Sequence, residues 1–395
     1  GEALSGFLGR GGEGFLGGPE VKKIEENFRK HFKVKHAVSF NSATTALQAA
    51  VAAIGIGPGD RVITTPFTMS ATATAVLLNG AVPVFADIDE QTFCISAESI
   101  AQKITSKTKA IIVTNLFGGV ADYAPILRLA RKHGLKIIED SAQAPGAVYR
   151  GKYAGTIGDI GVFSFNVHKV IQSGEGGMLV TNNKRYAYRA QLVRNHGEAV
   201  GYDMNKNGEL LVGSNYRLPE LQAAIVTEQL KKLSKLNSER IKLADYLTKR
   251  LKEFNWLAPA RVLPRSRHVY YLYPIRFFSE RAGISRATFT AALKAEGFAL
   301  NEGYNTPLHF LPIYQHRRIY EHTQFPFVSS EFPQDVSYVI GSLPITERMF
   351  NEELLVTTIC QPPKSRQVLD FFVKALKKIE ANLPYLKKYE REQKV

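Results

Sequence analysis

The sequence predicts an α/β protein with a mostly parallel central sheet in a large domain and a smaller α+β domain at the C-terminal end. Three observations carry this. Between residues 36 and 138, short apolar stretches alternate with segments of helical period. Those stretches are apolar throughout, as strands covered on both faces are. Beyond them a long Lys- and Leu-rich helical pattern, Glu228 to Phe254, leads into one more strand and two helices. The domain boundary is placed near the middle of that pattern, dividing the chain into residues 1–240 and 241–395.

The elements follow in order. Gly1 to Gly18 is glycine-rich, but no strand precedes it, so it is not a dinucleotide-binding turn. Pro19 to His31 puts Val21, Ile24 and Phe28 on one helical face, and Pro19 suits a first helical position. The expected strands are Ala37–Phe40, Val62–Thr64, Val82–Phe85, Ala110–Thr114 and Lys136–Ile138. The expected helices between them are Thr44–Ile54, Ser70–Leu78, Ser96–Ile104 and Tyr123–His133. Gly161–Phe165 and Met178–Thr181 read as two further strands joined by a loop. After the long helix come Tyr270–Phe277 as a strand, then Ser285–Glu296 and Val368–Asn382 as helices.

Composition narrows the class. The chain has 395 residues, 45% hydrophobic and 22% charged, ordinary for a soluble globular protein. No apolar run is long enough to span a bilayer, and no signal peptide is visible. Cys94 and Cys360 lie far apart without metal-ligand spacing, which fits a reducing, cytoplasmic setting, no disulfide framework and no metal. The formal net charge of +15 favours anionic partners. It also suggests, as a rival, a basic nucleic-acid-binding regulatory protein. No helix-turn-helix, zinc-finger or RNP pattern supports that rival, so neither nucleic acid nor membrane is expected as a partner. The charged stretch Lys387–Lys394 reads as a solvated helix end.

Several segments carry residues of chemical interest. The loop between the two later strands holds one lysine, Lys169, after Ser164 and before Gly174, Gly176 and Gly177. A buried amine there would have a lowered pKa and could form a Schiff base; locally, a solvated hairpin turn is the plainer reading. Asn41–Leu47 joins a strand to a helix. Free N–H groups at such an N-terminus favour a phosphate, with Ser42 or Thr44 adding a hydroxyl, whereas an ordinary N-cap is the simpler alternative. Ile137–Gln143 is an apolar strand ending in acids. In a parallel sheet, ligands sit at the carboxyl ends of the strands, so Asp140 faces the expected crevice, unless it caps a helix.

Phe163-Ser164-Phe165-Asn166-Val167-His168-Lys169, followed by Gly174-Glu175-Gly176-Gly177, resembles the cofactor-lysine segment of the DegT/DnrJ/EryC1/StrS family. These are pyridoxal 5'-phosphate (PLP) sugar aminotransferases of fold type I. Similar motifs recur in order from about Gly17 to about Pro312. The resemblance implies that Lys169 anchors PLP covalently and then moves the proton. It implies that Asp140 keeps the ring nitrogen protonated and that Gln143 reaches the ring hydroxyl region. Ser164, Ala43 and Thr44 would hold the phosphate. Family members carry an aromatic residue at the position of Met69; here a thioether would contact the ring, with Phe67 as a substitute.

Gly213–Glu220 resembles the segment that crosses a dimer interface, so Asn215, with Arg217 nearby, would serve the PLP phosphate of the other chain in a homodimer with shared active sites. Arg194–Gly197 and Tyr304–His309 resemble segments near the sugar-nucleotide site, with Tyr304 and His309 as substrate contacts. The implied reaction moves an amino group from an amino acid, glutamate by family habit, to a nucleotide-linked keto sugar. A dehydratase branch of the family carries histidine at the lysine position, and moving the alignment by one residue would exchange Lys169 for His168. Thr346–Met349 is similar to a keto-cyclitol branch. Family members also carry an upstream lead-in, which implies that this chain begins inside a longer protein.

Overall fold

The computed structural model describes residues 16–197, 211–331, 333 and 335–393; the glycine-rich run Gly6–Gly14 lies outside them. Helix α1 (Pro19–Phe32) buries Val21, Ile24, Phe28 and Phe32. Its N-terminal N–H groups are capped from far along the chain: the Glu220 carboxylate accepts from Glu20 N at 2.8 Å and Val21 N at 3.1 Å. This contact also explains a difference from expectation. Helix α7 (Glu220–Leu251) starts at Glu220, not Glu228, because its first residue is buried as a cap.

The central sheet has seven strands: β1 (His36–Phe40), β2 (Arg61–Thr64), β3 (Val82–Phe85), β4 (Thr108–Thr114), β5 (Lys136–Asp140), β6 (Ile160–Ser164) and β7 (Gly177–Thr181). Their spatial order is β1-β7-β6-β5-β4-β2-β3. Only β7 runs against its neighbours, β1 and β6; the pairs β6/β5, β5/β4, β4/β2 and β2/β3 are parallel. The helices between strands are α2 (Ala43–Ala53), α3 (Ala71–Leu77), α4 (Ala97–Lys103) and α5 (Tyr123–His133), with α6 (Lys184–Arg194) after β7.

Strand pleating sends successive side chains to opposite faces. Ala110, Ile112 and Ile138 pack into one core with α2, α3 and α6, while Ile111, Val113 and Ile137 enter another with α4 and α5. Both cores are apolar, which is why the strands read as continuous apolar runs.

A second, antiparallel sheet takes β8 (Leu257–Pro259), β9 (Tyr273–Phe277), β10 (Asn301–Glu302) and β11 (Leu354–Thr357) in the order β8-β9-β11-β10. Trp256, Phe277, Phe289, Leu369, Phe372 and Leu376 share its core with α8 (Arg286–Ala295) and α9 (Arg366–Ala381). Helix α7 serves both regions, with Leu230 and Leu233 packed beside α1 and Leu243, Leu247 and Leu251 in the second core. Helix α10 (Leu383–Glu392) buries no side chain, as a solvated charged helix end should.

Strand β9 begins at Tyr273, three residues later than expected. The preceding segment is pinned elsewhere: Val269 N donates to Gly118 O at 2.8 Å and Leu272 N to Phe117 O at 3.3 Å. The sequence reading included neither α6, with its mostly polar surface, nor β11, whose partners lie far along the chain.

Strand β5 runs through Glu139 and Asp140, two residues beyond its expected end. Glu139 is fully enclosed. Its carboxylate accepts from the N–H groups of Gly155 at 2.7 Å, Gly158 at 2.6 Å and Ile157. Burial raises its pKa against the pull of those donors. Glu139→Ala would strand three buried N–H groups, so we expect a loss of about 3–5 kcal/mol in stability. Urea unfolding would read this as a lower midpoint, and an unchanged midpoint would refute the role of Glu139 as the loop's anchor.

Candidate active site

Asp140 ends β5, a strand in the middle of the parallel set, with Thr114 of β4 beside it in register. Its side chain is buried, 5% exposed. Oδ2 accepts from Thr72 Oγ1 at 2.7 Å and Oδ1 from Ala142 N at 3.2 Å. Thr72 Oγ1 lies 3.1 Å from Thr68 Oγ1, and Thr114 Oγ1 lies 3.5 Å from the same atom. Three threonines thus orient one carboxylate at the carboxyl ends of the strands. No helix begins at Asp140, so the helix-cap alternative does not hold.

The loop between β6 and β7 is solvated in part: Val167, His168, Gly174 and Glu175 are exposed, while Lys169 is half-buried. Val170 and Ile171 are buried in the core, 5% and 0% exposed. Ser173 N donates to Phe165 O at 2.9 Å and Val167 N to Gly174 O at 2.8 Å, while Asn166 Nδ2 reaches Glu175 Oε1 at 2.8 Å. Anchored this way, Lys169 carries its Nζ over the Tyr271 ring, 4.8 Å from the centroid. Burial lowers the pKa of its amine, and the Asp140 charge opposes that shift. The reciprocal holds for Asp140: burial raises its carboxyl, while the hydrogen bonds from Thr72 and Ala142 and the Lys169 charge lower it. His168 is exposed beside it.

Tyr271 was not among the sequence candidates. Gly118 brings it into place, since a Cβ at that position (φ +93) would lie 2.7 Å from Tyr271 N. No local signal marks this contact, because residues 118 and 271 meet only through the fold. Thr68 and Thr72 were not among those candidates either, and their spacing of four around the start of α3 was the available clue.

Ser164 ends β6, pairs with Gly177 of β7, and Gly177 pairs in turn with Phe40 of β1. A Cβ on Gly177 would lie 2.5 Å from Ser42 O and 2.6 Å from Ala43 N. Only glycine therefore lets the start of α2 close onto this end of the sheet. Ser42 is spent as the ordinary N-cap, its Oγ accepting from Thr45 N at 3.2 Å. The N–H groups of Ala43 and Thr44 belong to the first turn, where a helix supplies no acceptor of its own.

The remaining candidates are placed less simply. Gln143 has both ends engaged: Oε1 accepts from Phe117 N at 2.8 Å and Nε2 donates to Tyr304 OH at 2.7 Å. The Tyr304 ring meets Phe117 and Phe67 edge-on, with centroids 5.0 and 5.9 Å apart. Phe67 is fully buried, whereas Met69 is half exposed, its Sδ accepting from Asn305 Nδ2 at 2.9 Å.

His309 is completely enclosed, with Nε2 3.0 Å from Glu347 Oε1, and burial lowers its pKa against the Glu347 charge. That is the arrangement of a structural histidine. Arg194 turns inward, 2.9 Å from Glu25 Oε1. Asn215 is exposed, bridged through its backbone to Asn195, and its Oδ1 accepts from Arg217 N at 3.4 Å. Among the described residues, no hydrogen bond joins it to Asp140, Lys169 or Ser164.

Together, the site offers a half-buried amine, a buried carboxylate oriented by threonine, and a hydroxyl beside a helix N-terminus. The DegT/DnrJ/EryC1/StrS aminotransferase family matches residues 9–360. GDP-perosamine synthase of Caulobacter vibrioides is 38% identical over 298 residues, covering 75% of this chain and 79% of that protein. The structure of DesV from S. venezuelae superposes with a TM-score of 0.80 at 30% identity, covering 92% of this chain and 90% of the other. That of NtdA from Bacillus subtilis, with bound cofactor PMP, gives 0.77 at 28% identity, covering 93% and 78%.

The Lys169–Asp140 opposition is directly testable in cofactor-free protein. Asp140→Asn removes the charge that props up the Lys169 amine, so its pKa should fall further. The pH profile of Lys169 methylation, followed by peptide mass mapping, should shift to lower pH. A profile that stays put or moves upward would contradict the arrangement.

Proposed function

The chain belongs to the DegT/DnrJ/EryC1/StrS aminotransferase family, whose members are PLP-dependent, and on that premise we propose that it transfers an amino group from glutamate to a keto sugar carried on a nucleotide. The observation that carries this reading is the half-buried Lys169 amine, its pKa lowered by burial and opposed by the Asp140 charge, at the carboxyl ends of a parallel sheet. PLP, when bound, supplies a carbonyl for amines and a ring that withdraws electrons from an adjacent carbanion.

This chain's residues do the rest. Lys169 would be the residue that holds the cofactor's aldehyde carbon, and its free nitrogen would be the base that moves the proton from the donor's α-carbon. A lowered amine pKa makes the free base available for both tasks. Asp140, kept aimed by Thr72, would hold a proton on the cofactor's ring nitrogen. Ser164 and the α2 N-terminus at Ala43 and Thr44 would hold its phosphate, joined by Asn215 of the partner subunit. The close approach at Gly177 leaves those N–H groups next to Ser164. Tyr304, held by Gln143, and Met69 at the exposed edge form the wall offered to substrate.

A relative named GDP-perosamine synthase and the net charge of +15 support a nucleotide-linked acceptor. The exposed side chain of His168 favours the transaminase over the dehydratase reading, which would need histidine in the half-buried position. The division into residues 1–240 and 241–395 is supported by the passage of α7 into a second core at Leu243, although Leu308, Tyr314, Tyr338 and Met349 pack back into a core of the large sheet. Among the described residues, no helix is long and apolar enough to cross a membrane. A cytoplasmic setting suits two free, buried thiols, Cys94 and Cys360, each pushed up to about 12 by burial.

Borohydride reduction of purified enzyme loaded with PLP should label Lys169, seen by peptide mapping, and Lys169→Ala should abolish transfer from glutamate to nucleotide keto sugars. Label on another lysine would sink the assignment.

The shared site predicts complementation. Lys169→Ala and Asn215→Asp should each be inactive alone. A mixed dimer collects both lesions in one site and neither in the other, so activity should return to about a quarter of wild type after random subunit exchange. No recovery, once exchange is verified, would mean that Asn215 does not serve the partner's site.

A further inference from the structure

Apart from the catalytic residues, the structure contains a cavity of about 290 Å³ between α1, α7 and the segment that follows Ser141. It is lined by His31, Tyr153, Ser234, Asn237, Lys242 and Arg267, among other residues, and by no Asp or Glu among the described residues. None of the residues assigned above to the cofactor or the substrate lines it. We propose that this cavity is a second ligand site, which takes the oxyanion of a small hydroxylated metabolite, such as a sugar phosphate.

The polar chemistry of the walls defines that class. Ser234, Ser238 and Lys242 recur every four residues on α7, so they form one stripe on the helix facing the cavity. The Arg267 guanidinium spends Nε and one terminal nitrogen on Gly146 O, at 3.1 and 2.6 Å. This fixes its plane at the cavity wall, and a fork held in this way suits an oxyanion. His31 stacks on Tyr153, with ring centroids 5.9 Å apart and an interplanar angle of 29°. Burial and the nearby Arg267 charge lower the pKa of His31, so an anion between them would be favoured by both groups.

Asn237 supplies the second, independent observation. Its side chain is 6% exposed, and its Nδ2 donates to Pro145 O at 2.8 Å. A carbonyl can only accept, so the amide orientation is settled and Oδ1 is left as the free end. That Oδ1 is buried without a hydrogen-bond partner. A buried acceptor left unmade is costly, and it calls for a donor. A bare anion offers none. Oδ1 is closed off from the cavity as it stands, so a small shift of the Asn237 side chain would open it to a hydroxyl carried next to the anionic group, while the oxyanion meets Arg267, Lys242 and His31. Leu233 and Ile241, on the neighbouring stripe of α7, give the body of such a ligand an apolar wall.

The test uses PLP-loaded enzyme, so that the catalytic phosphate site is already filled. The His31 ring C–H resonance, assigned through His31→Gln, is titrated with pH in the presence of inorganic phosphate, ribose 5-phosphate or glycolate. The expected result is a raised His31 pKa, because a bound anion stabilises imidazolium. Ribose 5-phosphate should act at lower concentration than inorganic phosphate; a larger effect of glycolate would assign the site to carboxylates within the same class. Lys242→Met should weaken the effect about three- to fivefold, and Asn237→Leu should weaken ribose 5-phosphate more than inorganic phosphate. Lys242 is exposed on α7, so its replacement leaves the core intact. The cofactor absorbance should stay unchanged throughout. A His31 resonance indifferent to all three ligands at tens of millimolar, or undiminished binding in the Lys242 variant, would overturn the proposal. Neither readout depends on transamination, so the outcome is separate from that of the proposed reaction.

Discussion

Two acids stand next to each other at the end of β5, and most of the site depends on how they are divided. The pleat sends Glu139 and Asp140 to opposite faces of the sheet. A carboxylate taken out of water must be supplied with donors or be protonated. Glu139 obtains three backbone N–H donors from residues 155–158, and so ties down the loop that leads into β6. Asp140 takes only one hydroxyl and one N–H, which leaves it accessible to the Lys169 charge. One acid holds the scaffold and its neighbour faces the crevice beside Lys169; the pleat, not the residue type, sets the difference.

The amine and the start of α2 are coupled through the hairpin that follows. β7 is the single antiparallel strand of the central sheet, and it lies between β6 and β1. That position brings Ser164, Gly177 and Phe40 onto adjacent rungs, and the missing Cβ of Gly177 lets α2 begin directly above them. The same hairpin loop holds Lys169. The lysine is therefore set relative to the helix N-terminus by main-chain pairing, which is stiffer than any side-chain contact. Tyr271 completes the enclosure from the opposite side, and by lying over the amine it contributes to the burial that lowers the amine's pKa.

Sequence reasoning reached the strands and helices of the central sheet with small errors at their ends, because apolar period and turn residues are local. It was less successful where an element's boundary is fixed by a distant partner. Glu220 starts α7 early in order to cap α1, and residues 269–272 are drawn off β9 by Phe117 and Gly118. The site was legible in the same uneven way. Lys169, Asp140 and Ser164 stand out through the family resemblance of the segments that hold them, not through local pattern alone. Gln143 was expected at a ring hydroxyl, yet both of its polar ends are engaged by Phe117 and Tyr304. His309 was expected near substrate, yet it is enclosed against Glu347. Tyr271 was not anticipated at all.

The sequence by itself determined the α/β class, the strand–helix order, and the family to which Phe163–Lys169 and Gly174–Gly177 point. Each of these rests on residues close together along the chain. Only the tertiary structure decided whether Lys169 is a fully solvated surface amine or, as found, a half-buried one with a lowered pKa. Desolvation and charge coupling depend on what lies within a few ångströms in space, and the neighbours that matter here, Asp140 and Tyr271, lie 29 and 102 positions away in the sequence.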